Sequence, residues 1–391
     1  MREDIKNKIL NLKKEMIEVR RDFHQYPELG FKEERTAKLV ANYLRNLGLE
    51  VKTDIAKTGV VGLLRGQREG KTLLLRSDMD ALPIQEKNEV EYKSKNEGVM
   101  HACGHDGHMA ILLTTAKILS DFQKEMKGNI KLIFQPAEEG PGGARLMIEQ
   151  GVMSAPQVDA AIGLHLWNYL PIGKVGIRSG PLMASMDSFT IKIKGKSGHG
   201  AIPHDAIDAI VMSSHVISAL QTIVSREVSP LKSAVVSVGT IKGGYGFNII
   251  ADEVDMEGTV RALDIELQKT LPERMERILK GVTSSMRGEY ELNYQFLYPI
   301  TVNDEGMAQL VRKACTSIVG AEKVIIAEQT MGGEDMAFFL QKVPGCLFFL
   351  GSANREKGFD SPHHHPRFDF DEDAMPLGVE ILSTIALEFL G

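Results

Sequence analysis

FTIKIK, residues 189–194, sets Phe189, Ile191 and Ile193 against Thr190, Lys192 and Lys194 in strict alternation. That is the pattern of a strand with one face buried and one wet. Working forward, a helical stretch at about Ala206 to Val224 follows, then strands at about Ala234 to Ile241 and Val254 to Ala262. A helix at about Ile265 to Met286 and a strand near Tyr290 to Tyr298 complete a β-α-β-β-α-β order, a small α+β sandwich of ferredoxin-like type. Working backward, the texture differs. Apolar runs such as Val60 to Leu64, Leu73 to Leu75 and Ile130 to Phe134 are continuous and alternate with helical patterns at Thr36 to Leu47 and Ala110 to Leu119. Continuous apolar strands are covered on both faces, which predicts an α/β layer structure with a mixed sheet flanked by helices. The alternation resumes after Pro299, with helices at Glu305 to Val319 and Ala374 to Phe389. The larger domain is therefore expected to be discontinuous, residues 1–182 and 298–391, with residues 183–297 inserted as a second, smaller domain.

The chain has 391 residues, 43% of them hydrophobic and 25% charged, enough for two cores. A net charge of -6 offers no basic field to a nucleic-acid backbone, so the expected partner is a small molecule. Cys103, Cys315 and Cys346 are odd in number and widely spaced, which fits a reducing compartment and no disulfide framework. At the N-terminus Ile5, Ile9, Leu12, Met16, Val19 and Phe23 form the stripe of an amphipathic helix, expected to pack on the sheet. No signal-peptide core and no membrane-length apolar run occur, so a cytoplasmic protein is expected.

HACGHDGH, residues 101–108, crowds three histidines, a cysteine and an aspartate together. Buried imidazoles and thiols without partners are costly, so the crowding points to a metal more than to packing. Cys103 and His105 are the pair expected to share one side of an extended segment, with Asp106 facing away. Glu138 and Glu139 follow the apolar strand Lys131 to Gln135, His165 ends the run Ala160 to Leu164, and His363, His364 and His365 precede the last helix. Strand ends of that kind carry chemistry in α/β sheets. A solvated acidic turn, a buried histidine bonded to backbone and a solvated histidine run are the plain alternatives for these three. Two adjacent glutamates suit a division of labour in which one ligates a metal and the other accepts a proton. A donor set of thiolate, imidazole and carboxylate suits zinc, manganese, cobalt or nickel and not magnesium or calcium.

Taken together, RRDFHQYPELGFKE (20–33), RSDMDALP (76–83), MHACGHDGHMA (100–110), QPAEEGPGGA (135–144), GLHLW (163–167), GKSGHGAIPH (195–204), MGGEDMAFF (331–339) and HHHPRFDFDED (363–373) resemble the M20 peptidase family. The likeness is to its aminoacylase, hippurate hydrolase and auxin-conjugate hydrolase branch. It implies two divalent metal ions, manganese or zinc with cobalt or nickel as options, held by Cys103, His105, Glu139, His165 and His364, with His363 competing for the last place. It also implies Glu138 as general base and Asp80 as the residue that orients a metal ligand. The resemblance makes residues 183–297 a lid and dimerisation domain, in which His199 would stabilise the oxyanion, in a family where it can reach a partner subunit's site, and Asn248 and Arg261 would hold the substrate. Asp78 stands where most other branches carry a ligating histidine. The expected activity is hydrolysis of the amide bond of N-acyl-L-amino acids by a homodimer or homotetramer. Deacetylation of N-acetyl-diaminopimelate, dipeptide cleavage and indole-acetyl-amino-acid hydrolysis are the alternatives on the same scaffold. Glu334 and Asp335 are expected to cap the following helix, and His24 to be structural.

Overall fold

A computed structural model of the chain describes residues 2–140 and 142–391. The first stretch supplies α1 (Arg2–Gln25), α2 (Glu34–Asn46), β1 (Glu50–Ile55), β2 (Gly59–Arg65), β3 (Arg68–Asp78), α3 (His105–Asp121), β4 (Lys127–Gln135), α4 (Gly143–Glu149), β5 (Ala160–Pro171) and β6 (Val175–Ile177). The middle supplies β7 (Met186–Lys194), α5 (Ala209–Thr222), β8 (Ala234–Gly243), β9 (Glu253–Ala262), α6 (Ile265–Ser285) and β10 (Glu289–Tyr298). The last supplies α7 (Glu305–Val319), β11 (Val324–Ile326), β12 (Gly345–Ala353) and α8 (Ala374–Leu390). Two compact units result, one of Met1–Gly180, Val302–Glu328 and Asp335–Gly391, the other of Pro181–Thr301 and Gln329–Glu334.

The first unit is built on an eight-stranded mixed sheet, in the order β1-β2-β4-β3-β5-β12-β6-β11. Its central strands β4, β3, β5 and β12 run parallel to one another. Residues 59–64 of β2 and 345–352 of β12 are buried without alternation, because helices cover both faces of the sheet. Ile5, Ile9, Met16 and Phe23 of α1 are buried, but that stripe packs on α3 and α8, a second layer away from the sheet. An amphipathic stripe reports that a helix is covered on one side and not by what.

The second unit is a four-stranded antiparallel sheet in the order β8-β9-β7-β10, the ferredoxin-like arrangement. Phe189, Ile191 and Ile193 of β7 face a core completed by Met212, Val216 and Leu220 of α5 and Leu271, Met275 and Leu279 of α6. Both helices begin on an aspartate whose carboxylate accepts backbone N–H groups, Asp208 for α5 and Asp264 for α6. The unit also takes in Gln329–Glu334, a segment the sequence reading left with the larger domain. Backbone pairing decides this: the Thr330 N–H donates to the Leu182 carbonyl at 3.1 Å, and the Ala184 N–H donates to the carbonyls of Thr330 and Gly332 at 3.1 and 3.0 Å. Among the described residues no helix is long and apolar enough to cross a membrane.

Candidate metal centre

Sheet register assembles the first part of the site. β3 and β4 run parallel with Asp78 opposite Gln135, so the residues just beyond them leave the same edge of the sheet. The Asp80 carboxylate accepts the Glu138 N–H at 3.0 Å and the Glu139 N–H at 2.9 Å. The turn beyond is tight, with Ala137 at φ 55° and Gly142 at φ 80°. A Cβ on Gly143 would lie 1.8 Å from the Pro136 carbonyl oxygen, an overlap with backbone that no rotamer relieves. Gly143→Ala is therefore expected to cost roughly 1–3 kcal/mol of stability, measured by chemical denaturation. Unchanged stability would show that the turn carrying the two glutamates is free to shift.

The HACGHDGH segment is not extended. Gly104, at φ 92°, turns the chain directly into α3, which starts at His105. Cys103 thus precedes the helix and His105 opens it, while Asp106, expected to face away, is completely buried. A left-handed glycine between two donors is a turn that alternation rules do not register.

Two histidines that face the site have one nitrogen fixed by a backbone acceptor. His105 Nδ1 donates to the Asp80 carbonyl at 2.9 Å, and His165 Nδ1 donates to the Leu166 carbonyl at 2.6 Å. In both, the lone pair is left on Nε2. His105 Nε2 lies 3.8 Å from Glu139 Oε1, and both atoms are buried without a hydrogen-bond partner among the described residues. His165 Nε2 lies 3.7 Å from Cys103 Sγ. His364 is held at φ 64°, with its N–H donating to the Ala102 carbonyl, and its Nε2 comes within 3.2 Å of Glu139 Oε1 without the alignment of a hydrogen bond. Donor atoms converge in two groups that share a cysteine: Cys103, His105 and His165, and Cys103, Glu139 and His364, each within 4.8 Å. A third group joins His105 to Glu138 and Glu139.

Two neighbouring histidines, His363 and His108, are engaged by other groups. His363 Nε2 accepts the Asn168 N–H at 3.1 Å, so its proton sits on Nδ1, 3.8 Å from Cys103 Sγ. His108 donates from Nδ1 to Asp78 at 2.7 Å and accepts the Leu166 N–H on Nε2 at 2.9 Å. Asp78 also takes Arg76 at 2.7 Å. His101 is buried with both nitrogens unpartnered among the described residues, and burial pushes its pKa down to about 4.

Electrostatics fit a cation. Burial would lower the His105 pKa, but the carboxylates of Asp78 and Asp80 outweigh it and push it up to about 10. Burial, with Glu139, Glu138 and Asp78 beside it, raises the Cys103 thiol well above its usual range. Burial, with His108 and His363, keeps His165 neutral. The carboxylates thus attract positive charge, and His105 Nε2 and Glu139 Oε1, without a hydrogen bond among the described residues, face each other across a gap that a small cation fits.

In the second unit, Gly198–His199 pairs antiparallel with Ile249–Ile250, which puts His199 opposite Ile249. His199 is exposed, and its Nδ1 accepts the Ala201 N–H at 3.0 Å, leaving Nε2–H as an outward donor in the neutral ring. The Asn248 carbonyl accepts the Gly200 N–H at 2.7 Å, and the residue itself is exposed. Arg261 lies near the end of β9. Its buried Nη1 has no hydrogen-bond partner among the described residues and sits where a Cβ on Gly333 would be 3.4 Å away. Asp187 is a residue the sequence reading missed. Fully buried, it accepts Gln268 Nε2 at 2.9 Å and the Tyr294 hydroxyl at 2.8 Å, and it supplies Arg261 with a nearby negative charge. An aspartate on the face of β7 shared by Phe189, Ile191 and Ile193 was the available signal.

Asp335 does not cap the helix after it. Its carboxylate accepts Arg76 at 2.9 Å, Gln135 at 2.7 and 2.8 Å and the Ala144 N–H at 3.0 Å, so it ties the ends of β3 and β4 to the start of α4.

A family model described as peptidase family M20/M25/M40 matches residues 74–388. The chain belongs to this family. An N-acyl-L-amino acid amidohydrolase of Geobacillus stearothermophilus is 48% identical to this M20 chain over 307 residues, 78% of it and 82% of the relative. Thermostable carboxypeptidase 2 of Saccharolobus solfataricus is 43% identical over 391 residues, 99% of this chain and 98% of the relative. A solved Bacillus subtilis protein, described as a dinuclear metal binding peptidase from the M20 family, superposes with a TM-score of 0.85 at 35% identity, covering 97% of this chain and 99% of that one.

Proposed function

We propose that this M20 chain is a binuclear metal-dependent amidohydrolase that cleaves the amide of N-acyl-L-amino acids to a carboxylic acid and a free amino acid. The carrying observation is that His105 Nε2 and Glu139 Oε1, both buried and without a hydrogen bond among the described residues, face each other, with Glu138 beside them on the same anchored turn. Cys103, His105, Glu139, His165 and His364 would hold two divalent cations, manganese or zinc foremost, with cobalt or nickel as options. Bound there, the cations supply Lewis acidity for the scissile carbonyl and the attacking water. Glu138 takes a proton from that water and delivers it to the leaving amine. Asp80 keeps Glu138 and Glu139 in place and fixes the His105 tautomer through its carbonyl. His199 donates Nε2–H to the developing oxyanion, and Arg261 with Asn248 takes the substrate's carboxylate. The amidohydrolase name of the Geobacillus stearothermophilus relative supports the substrate class. Exposed Ile202, Ile210, Val211, Tyr245, Phe247 and Ile249 support homodimer or homotetramer formation through the second unit. Three free, buried cysteines support a reducing, cytoplasmic setting.

The test is a chelator-stripped sample assayed on N-acetylmethionine and hippurate, then resupplied with manganese, zinc, cobalt or nickel. Activity is expected to vanish and return. Cleavage of dipeptides with no hydrolysis of any N-acyl amino acid would replace this reading with a dipeptidase.

A further inference from the structure

The N-terminal motif beginning at Arg20 has no part in the chemistry proposed above, yet it holds the densest buried charge in the first unit. The Arg20 side chain is completely buried, with Nε donating to Asp106 Oδ2 at 2.7 Å, Nη2 to Asp369 Oδ1 at 2.7 Å and Nη1 to Glu372 Oε1 at 3.2 Å. Its guanidinium carbon stands 4.4 Å from the Phe370 ring centre and 4.9 Å from that of Tyr92. His24 Nδ1 donates to the same Asp106 oxygen at 2.8 Å and its Nε2 to Glu86 at 3.2 Å, while the Tyr92 hydroxyl donates to Asp369 Oδ2 at 2.7 Å. Stability alone is a poor reason for this arrangement, since apolar residues of similar volume in place of a buried ion cluster are often as stable or more so. What such a cluster does supply is fixed geometry, above all through the planar arginine fork.

The partners show which geometry. Asp106 is the residue after His105, in the first turn of α3. Asp369 lies five residues beyond His364, and its carbonyl accepts Asn168 Nδ2 at 2.7 Å. Asn168 is three residues beyond His165 on β5, and its N–H donates to His363 at 3.1 Å. The guanidinium therefore contacts the segments that bear His105 and His364 directly, and reaches the His165 segment through the Asp369 carbonyl and Asn168.

We propose that Arg20 is a positioning residue for the cation donors: with His24 bracing Asp106 and Tyr92 bracing Asp369, it holds the His105, His165 and His364 segments in one register. The inference rests on the reading that these residues bind cations, and the experiment separates the two. Chelator-stripped full-length protein is titrated with Co2+ alone, following the visible cobalt bands and the thiolate-to-cobalt absorption. Arg20→Lys keeps the charge and removes the fork; Tyr92→Phe removes a single hydrogen bond to Asp369. Folded Arg20→Lys, judged by unchanged circular dichroism, is expected to bind Co2+ about 10–100-fold more weakly, the usual range for partners that orient metal ligands, with shifted bands. Tyr92→Phe is expected to shift in the same direction by less, and it carries the test if Arg20→Lys does not fold. Variants that lose thermal stability yet bind Co2+ with wild-type affinity and spectrum would overturn the positioning role. Wild-type protein that binds no Co2+ would overturn the donor assignment beneath it.

Discussion

Glu138→Gln is expected to lower kcat on N-acetylmethionine by about 10²–10⁴-fold, the contribution typical of a positioned general base, while cation content stays at the wild-type level. The amide is nearly isosteric with the carboxylate and keeps the backbone N–H bond to Asp80, so the turn and the neighbouring Glu139 are left in place. What it loses is the capacity to accept a proton near neutral pH. The side chain is only 7% exposed, so bulk water is a poor substitute for it. KM should change little, because substrate anchoring is assigned to Arg261 and Asn248. Steady-state kinetics together with metal analysis of the same sample make the check. Near-wild-type kcat with full cation content would move the base to another residue, and loss of cations would make Glu138 a ligand.

The second large effect concerns stability against pH. Burial and the charge of Arg20 work to lower the His24 pKa, but hydrogen bonds to Asp106 and Glu86 outweigh them and raise it from 6.5 to about 9. Arg20, Asp106, Glu86, Tyr92 and His101 are the titratable groups around it. A folded-state pKa above the unfolded one gives stability that is fully present below about pH 6.5 and lost as pH rises through about 9. The loss is on the order of 3 kcal/mol. Lys131 has the opposite sign: burial pushes it down to about 8, so its contribution rises with pH above that value. Comparing wild type with His24→Gln cancels the lysine. Denaturation curves between pH 6 and 10 are expected to converge at the alkaline end, with the variant the less stable at the acid end. Parallel curves would mean that His24 is not a buried imidazolium.

Much of this site could be read along the chain, because its donors occur in short runs next to strand ends. Glu138 with Glu139 and His165 stand at strand ends, the carboxyl edge where chemistry gathers in a parallel sheet, Cys103 with His105 stood out through the crowding of HACGHDGH, and their separate roles came only from the resemblance to the family. The inserted unit was legible for a similar reason, since FTIKIK is a local pattern with a local cause. What stayed hidden was long-range or conformational. Arg20 and Asp369 are 349 residues apart, and no spacing rule links them. The start of α3 at His105 depends on the left-handed φ of Gly104, and Asp335 looked like a helix cap until the ends of β3 and β4 came to it. His364 and His363 are neighbours of the same type. In the fold the Asn168 N–H occupies His363 Nε2, whereas His364 Nε2 comes within 3.2 Å of Glu139 Oε1.

The assignment of residues to the two units has a consequence for how such an enzyme can change. All five proposed cation donors, with Glu138 and Asp80, belong to the first unit, whereas His199, Asn248 and Arg261 belong to the second. Each unit has its own hydrophobic core. New substrate preferences can accumulate around Asn248 and Arg261 while the five donors and Glu138 are inherited unaltered, and His199 is the group of the inserted unit that such change must spare.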